Sequence, residues 1–457
     1  MEKKLFGTDG IRGVAGRPPL DPDTIFAVGL CLGQYLLQKV ARPRVILGED
    51  PRESSRWIVE TVAAGLQQAA VSTLAVGVIT TPGLAFLTLS EGFDAGVMVS
   101  ASHNPYQDNG IKMFASTGYK LPDEQEWELE QHILKVLANG TGPRAHRCSL
   151  EPARTLGGHY TEALRRAART SSWTLAGRKL ILDCANGSAS ALAPEVFAGL
   201  GLELKLLADR PDGRNINFGC GSIHMEPLQE AVLREKADLG VAFDGDADRA
   251  LFITATGKWV DGDGILLLAS RYLRQEGNLR GHAVVGTVMS NLGLERALAR
   301  EGLKLLRTPV GDKYVLEEML RAGANLGGEQ SGHVIFGDLA TTGDGLLTAL
   351  QVLRIMAERS KTLDQLVEGL HVFPQTLRNI RVREKVPWES LPRVREQIQA
   401  SQQSLGGSGR VLVRYSGTEM LARVMVEAES AEEVDRHASA LTRAIEESIG
   451  TGPSEAA

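Results

Sequence analysis

The sequence predicts an α/β protein of four units, three α/β sandwich-like units followed by a smaller α+β unit. Three observations predict it. Short apolar runs rich in β-forming residues alternate with longer segments of helical periodicity. At 457 residues the chain is too long for one ordinary hydrophobic core, so two to four units are expected. Breaks rich in polar residues, proline or glycine near 141–153, 257–264 and 372–376 then divide it into 1–150, 151–257, 258–372 and 373–457.

Strand-like runs stand at 45–47, 74–79, 96–99, 180–183, 239–243 and 283–288, with helical patterns such as 57–70 and 292–300 between them. Such alternation builds layers in which helices cover sheets. After Pro374 the pattern changes to a strand-like run reaching residue 382, a charged helix over 388–402, strands at 411–414 and 422–427, an amphipathic helix over 431–446 and a frayed tail at 451–457. The stretch 61–90 carries no charge, but Gln67, Gln68, Ser72, Thr73, Thr80, Thr81 and Pro82 interrupt it. It lacks the ~20 continuous apolar residues of a bilayer span and reads as buried helix, strand and helix.

A composition of 43% hydrophobic and 23% charged residues is that of a globular protein and excludes a disordered or fibrous one. Lys and Arg number 50 against 56 Asp and Glu, a net charge of -6 that argues against a nucleic-acid partner while leaving local phosphate sites open. Cys31, Cys148, Cys184 and Cys220 are scattered, with no C-x-x-C pair for zinc or dithiol chemistry, so a reducing cytoplasm is expected. Residues 1–7 contain Lys3 and Lys4 but no apolar stretch of a secretory signal, and no membrane partner is expected.

Five segments concentrate chemistry. V-S-A-S-H-N-P at 99–105 follows a strand and sets Ser102 beside His103 and Asn104, where backbone N–H groups can hold an oxyanion or phosphate. Read alone, Ser102 fits the commoner role of a helix N-cap better. D-G-D-A-D-R at 244–249 places Asp244, Asp246 and Asp248 at the end of an apolar strand, a concentration of oxygen ligands suited to a hard divalent cation. An EF-hand is excluded, because Arg249 replaces the required glycine and Ala255 stands at the twelfth position. With no His or Cys beside the carboxylates, magnesium is favoured.

G-G-E-Q-S-G-H at 327–333 gathers Glu329, Gln330, Ser331 and His333 in one loop, a set that suits sugar hydroxyls and equally a polar turn between strands. R-Y-S-G-T-E at 414–419, with Arg423 close behind, offers a guanidinium, two hydroxyls and a flexible glycine as a phosphate cradle, although S-G-T also reads as an ordinary turn. F-G-T-D-G-I-R-G at 6–13 puts Arg12 in a glycine-rich loop, with a simple turn bearing a surface arginine as the alternative.

Together, in this order and across nearly the whole chain, the five segments resemble the α-D-phosphohexomutase superfamily. G-T-D-G-I-R-G and G-E-Q-S-G-H look most like the branch that isomerises glucosamine phosphate, and relatives acting on mannose or glucose phosphates more often carry another residue at the Gln330 position. The resemblance implies four domains around a central cleft, the last resembling the TATA-binding-protein fold. It implies that Ser102 is the phosphoserine and that Ser102, Asp244, Asp246 and Asp248 hold one magnesium ion per subunit. It further implies that Glu329 and Ser331 contact sugar hydroxyls, and that Arg414, Ser416, Gly417 and Thr418 grip the phosphate the substrate already carries, with Arg423 read from the sequence as a further substrate contact close behind. Tyr415 and Met420 depart from the family's frequent prolines, and Lys313 in V-G-D-K-Y from its usual arginine.

The expected reaction moves a phosphoryl group from Ser102 to glucosamine 6-phosphate and back through a glucosamine 1,6-bisphosphate that serves as intermediate or primer. Its product feeds amino-sugar nucleotide and cell-wall precursor synthesis. Arg12 and Lys112 are expected to neutralise charge on the moving group, and Lys112 or His333 to handle the hydroxyl proton. The expected partner is a small hexosamine phosphate, and a homodimer is left open. The competing readings are a mannose- or glucose-phosphate mutase, a sugar phosphatase and a non-catalytic sugar-phosphate sensor.

Overall fold

The computed structural model describes residues 4–7, 9–140, 148–168, 175–416 and 419–451, so the expected tail beyond 451, much of the 141–153 break, Gly417 and Thr418 lie outside the described residues. Two compact units are formed, Met1–Met289 with Leu303–Glu368, and Ser290–Gly302 with Gly369–Ala457.

The first unit holds three sheets. The first comprises Phe6–Gly7 (β1), Gly10–Val14 (β2), Arg44–Glu49 (β3), Ser72–Val78 (β4), Ala95–Val99 (β5) and Asp108–Ala115 (β6), in the order β1-β2-β6-β5-β3-β4. Strands β4, β3 and β5 run parallel, while β6 pairs antiparallel with both β5 and β2. Every residue of β5 is buried, because a central strand covered on both faces needs an unbroken apolar run rather than an alternating one. Helices Pro22–Leu37 and Ser55–Gln68 meet through Gly29 and Gly65, where a Cβ would stand 2.1 Å from the Val62 carbonyl oxygen and 2.2 Å from that of Phe26. Only glycine allows so close an approach.

Lys179–Asp183 (β7), Glu203–Leu207 (β8), Leu239–Phe243 (β9), Ala250–Thr254 (β10) and Trp259–Val260 (β11) form the second sheet, ordered β11-β10-β9-β7-β8. The third contains Ala283–Thr287 (β12), Lys304–Thr308 (β13), Leu326–Gly328 (β14) and Val334–Phe336 (β15), ordered β13-β12-β14-β15. Several helix starts in this unit carry polar caps. Thr80 accepts from the Gly83 N–H, Asp261 from Gly264 and Asp344 from Leu347, each relieving an N–H that the first helical turn leaves unpaired.

The second unit contains an antiparallel sheet of Gln375–Arg381 (β16), Arg410–Tyr415 (β17) and Leu421–Glu427 (β18), with β18 central. Its core joins Ile380, Val424 and Val426 of the sheet to Val434, Leu441 and Ile445 of helix Ala431–Ile449, the apolar stripe that the periodicity of 431–446 predicts. This is the expected α+β unit, and helix Leu292–Arg300 also belongs to this compact unit.

Two local expectations change. Arg12 lies on β2 rather than in a turn, because Phe6–Gly7 and Gly10–Val14 close a hairpin whose second strand pairs with β6. The helix expected over 388–402 begins at Pro392, after a separate 3₁₀ turn at Trp388–Ser390, as suits a proline in the first helical turn. Among the described residues no helix is long and apolar enough to cross a membrane, and the four cysteines are unpaired.

Candidate active site

Strand β5 delivers Ser102 at its C-terminal end, and the next regular element is strand β6, so no helix is present for this serine to cap. Ser102 is buried and left-handed, with φ +53°, a conformation costing an L-residue about 1–2 kcal/mol. Its Oγ donates to Asp244 Oδ2 at 2.5 Å and lies 3.1 Å from His103 Nδ1. Burial, followed by the charges of Arg249 and Arg12, pushes His103 down to about 4 and keeps its ring neutral near pH 7.

Strand β9 is wholly buried and releases the chain directly into Asp244, Asp246 and Asp248, all of them buried. One carboxylate oxygen from each lies within 4.8 Å of the others. Gly245 lies between the first two aspartates because a Cβ there would stand 2.5 Å from the Ser102 carbonyl oxygen. Burial and the charges of Asp248 and Asp246 raise Asp244 well above the carboxylate range, while Asp246 Oδ1 and Asp248 Oδ1 are buried with no hydrogen-bond partner among the described residues. Crowded, desolvated carboxylates with unused lone pairs are the donor set of a hard divalent cation, so the residues fit magnesium.

Lys112, on β6, faces this triad with Nζ 2.7 Å from Asp246 Oδ2 and 3.5 Å from Asp248 Oδ2, and Thr81 Oγ1 also donates to Asp246. Burial disfavours its charge, but Asp246, Asp9 and Asp248 prevail and raise its pKa, leaving Lys112 cationic. From Lys112 a chain of charged groups closes on itself. Asp9 Oδ2 lies 3.3 Å from Lys112 Nζ, and Asp9 Oδ1 bonds Lys120. Lys120 lies 2.5 Å from Asp312 Oδ2, which is 3.5 Å from His333 Nε2, and His333 Nδ1 returns to Asp248 Oδ2 at 3.7 Å. Arg12 joins at Asp9, its Nη2 2.5 Å from Oδ2. Burial opposes ionisation of Asp9, yet Lys112, Lys120 and Arg12 hold its carboxyl well below the usual range.

The 329–333 loop turns between β14 and β15 and is clasped by the second sheet and its neighbouring helix. Ala250 N–H donates to the Gly332 carbonyl at 3.1 Å, and Gly262 N–H to that of Gln330 at 3.1 Å. Glu329 Oε1 accepts from the Gly311 N–H at 3.0 Å, and Ser331 Oγ lies 3.4 Å from Oε2. The Gly343 N–H donates to His333 Nε2 at 3.0 Å, which leaves Nδ1 to carry the proton toward Asp248. Lys313 Nζ reaches Asp123 Oδ1 at 2.7 Å and Glu126 Oε2 at 3.3 Å, so its side chain ties the third sheet's helix Asp312–Ala322 to helix Asp123–Ala138.

In the second unit Arg414 and Arg423 stand directly opposite on β17 and β18. Burial and then the charge of Arg423 lower the Arg414 pKa. Arg423 Nη2 lies 3.4 Å from Ser416 Oγ and 3.2 Å from Glu419 Oε2. Tyr415 stacks on Trp388 and donates to the Val386 carbonyl at 2.7 Å, while Lys385 Nζ holds the Ser416 carbonyl at 2.7 Å.

The structure therefore gathers Ser102, Lys112, Arg12, His333 and the three aspartates into one network, with Glu329 and Ser331 on the loop clasped beside it. Arg414, Ser416 and Arg423 form a separate group in the second unit. Sequence reasoning missed Asp9, Lys120 and Asp312, polar residues whose lysine and carboxylate partners lie far along the chain.

Models of the phosphoglucomutase/phosphomannomutase family match α/β/α domain I at residues 3–139, domain II at 158–257, domain III at 261–373 and the C-terminal domain at 377–444. A phosphoglucosamine mutase of Solibacter usitatus is 50% identical over 98% of this chain and 100% of its own. Another from Koribacter versatilis is 50% identical over 98% of each. A phosphoglucomutase/phosphomannomutase family protein of Burkholderia thailandensis superposes with a TM-score of 0.77 at 27% identity, covering 97% of both chains. Four family domains in order, and half the residues shared with full-length relatives, place the chain in the α-D-phosphohexomutase superfamily and, within it, in the phosphoglucosamine mutase family.

Proposed function

We propose that this chain interconverts glucosamine 6-phosphate and glucosamine 1-phosphate by passing a phosphoryl group through Ser102. The observation carrying the reading is the 2.5 Å contact of Ser102 Oγ with Asp244 inside the buried carboxylate triad. The phosphoglucosamine mutase names of relatives at 50% identity support glucosamine over mannose or glucose.

Asp244, Asp246 and Asp248, with the phosphate ester on Ser102, would hold magnesium, which supplies the positive charge that lets an ester of about -1.5 to -2 sit among three carboxylates. The bond from Ser102 Oγ to phosphorus breaks as the sugar's 1-hydroxyl oxygen bonds to phosphorus, giving the 1,6-bisphosphate and a free serine alkoxide position. Lys112 and Arg12 lend positive charge to the phosphoryl oxygens, which spread negative charge at the transition state. The 1-hydroxyl proton ends on the Ser102 Oγ released from phosphorus. Lys112, held cationic by its carboxylates, acts through its charge and does not accept it, which leaves His333, the other ionisable group facing Asp248, to relay it. After the bisphosphate turns over, its 6-phosphate returns to Ser102, O6 regains a proton, and glucosamine 1-phosphate is released.

Glu329 and Ser331 bind sugar hydroxyls, while Arg414, Ser416, Gly417, Thr418 and Arg423 grip the phosphate that is not being transferred. Position and charge carry most of the acceleration, as in phosphoryl transfer generally. The test supplies glucosamine 6-phosphate, magnesium and a trace of glucosamine 1,6-bisphosphate, and assays the 1-phosphate. Stoichiometric release of inorganic phosphate would favour a phosphatase, and faster turnover of mannose or glucose 6-phosphate a different mutase. Ser102→Ala is expected to abolish steady turnover while the protein stays folded; near-normal activity would refute the covalent role.

A further inference from the structure

We infer that Arg52 and Asn217 are positioning residues for Ser102, gripping its carbonyl from two separate segments and so keeping its hydroxyl aimed at Asp244. The inference rests on the mutase reading above. A serine at φ +53° stays there only if its surroundings hold it, and here both of its backbone polar groups are held. The N–H donates to Ser100 Oγ at 3.0 Å, and the carbonyl accepts from Arg52 Nη2 at 2.9 Å and from Asn217 Nδ2 at 2.9 Å.

Arg52 is a buried guanidinium whose other nitrogens are committed. Nε pairs with Asp50 Oδ2 at 2.8 Å, and Nη1 donates to the carbonyls of Pro105 at 2.5 Å and Asp108 at 3.1 Å, bracing the far end of the serine turn. Asp50 also accepts from Ser100 Oγ at 2.8 Å and Ser55 Oγ at 2.7 Å. One carboxylate therefore orients both the cation on the Ser102 carbonyl and the hydroxyl that receives the Ser102 N–H.

Asn217 approaches from the chain that follows β8 in the second sheet. Its N–H is bonded to the Ala185 carbonyl at 2.9 Å, the Ala185 N–H to Asp183 Oδ1 at 2.9 Å, and the Gly221 N–H to Asp183 Oδ2 at 2.8 Å. Asn217 Nδ2 additionally reaches the Asn104 carbonyl at 3.1 Å. Neither Arg52 nor Asn217 is hydrogen-bonded to Ser102 Oγ or to the three aspartates among the described residues. Their action is on where that oxygen sits.

Asn217→Asp keeps the size of the side chain and removes its donor, and Arg52→Lys keeps the charge and removes the fork. With glucosamine 6-phosphate, magnesium and glucosamine 1,6-bisphosphate, both variants are expected to lose about 10- to 100-fold in kcat, with KM changed less than about twofold. Intact mass should count as many Ser102 sites phosphorylated by the bisphosphate as in the unsubstituted protein, with the rate per site reduced. A merely structural role would lower the number of competent sites and spare the rate of each.

Arg214→Gln serves as the control. It removes the 2.6 Å Arg214–Glu53 contact, which docks the same loop without touching Ser102, and is expected to leave kcat unchanged. Should Arg52→Lys not fold, Asn217→Asp decides alone, with its melting temperature confirming the fold. An unsubstituted rate per phosphorylated site in Asn217→Asp would overturn the inference. Absence of turnover and of phosphate on Ser102 in the unsubstituted protein would instead refute the mutase reading.

Discussion

The ring of Tyr415 lies on that of Trp388 with centroids 4.1 Å apart and planes 14° from parallel. Tyr415 stands where the family often has proline, so a residue that would stiffen the chain by its own ring is replaced by one clamped from outside. With Lys385 on the Ser416 carbonyl, the stack holds the chain at the start of the segment proposed to bind phosphate. Trp388→Ala is expected to forfeit about 0.5–1.5 kcal/mol of stacking and to raise KM for glucosamine 6-phosphate about 2- to 10-fold with kcat little altered. Steady-state kinetics check this, and an unchanged KM would detach the stack from substrate binding.

Magnesium should stabilise the folded protein, because it relieves repulsion among three buried carboxylates. At a concentration 100 times its Kd the gain is about 2.7 kcal/mol, visible as a rise in Tm that EDTA reverses. In the Asp244→Asn, Asp246→Asn double variant the rise should vanish. If it persists there, the ion binds elsewhere.

Glu49, buried at the end of β3, is raised to about 7 by burial, with Arg56 3.7 Å away opposing the shift. A carboxyl whose folded pKa lies above its unfolded value of 4.5 binds more protons when folded. Its contribution to stability is therefore full below pH 4.5 and is lost as pH rises through about 7, by about 3 kcal/mol. Glu49→Gln should flatten this part of the stability profile and stabilise the protein at pH 8, as urea unfolding at pH 5 and 8 can measure. An equal pH dependence in the variant would show that Glu49 does not titrate in this way.

Lys313→Ala should destabilise the first unit by about 1–3 kcal/mol, since it removes a largely buried cation shared by Asp123 and Glu126. Lys313→Arg, which restores the family's usual residue, should keep most of that stability. Thermal unfolding read beside kinetics separates the two effects, and a kcat loss with no change in Tm would assign Lys313 to the chemistry instead.

The parts of the site that were legible in the sequence are those written in consecutive residues. Asp244, Asp246 and Asp248 follow an apolar strand, and Ser102 follows another, so strand periodicity alone places each at a strand end, while their meeting across two different sheets is tertiary. Strands β3, β4, β5, β7, β9 and β12 were legible for the same reason, whereas the eight-residue β6 was not, since Asp108, Asn109 and Lys112 interrupt its apolar run. Strands β14 and β15, with three residues each, are too short to show a period, and Leu326–Gly328 contains two glycines that oppose strand propensity. Asp9, Lys120 and Asp312 were illegible because their meaning is relational. Lys120 is separated by 111 residues from Asp9 and by 192 from Asp312, and no local pattern announces such pairs.

The closed circuit through Asp248, Lys112, Asp9, Lys120, Asp312 and His333 also bears on how this protein can change. Lys112, Asp9, Lys120 and Asp312 each face at least one opposite charge, so neutralising one strands the charge of its partners in a poorly solvated place. Replacement in matched couples, such as Lys120→Met together with Asp312→Leu, preserves the balance along the rest of the loop. Drift at these positions should therefore proceed two residues at a time, with the first step of each couple a poorly tolerated intermediate.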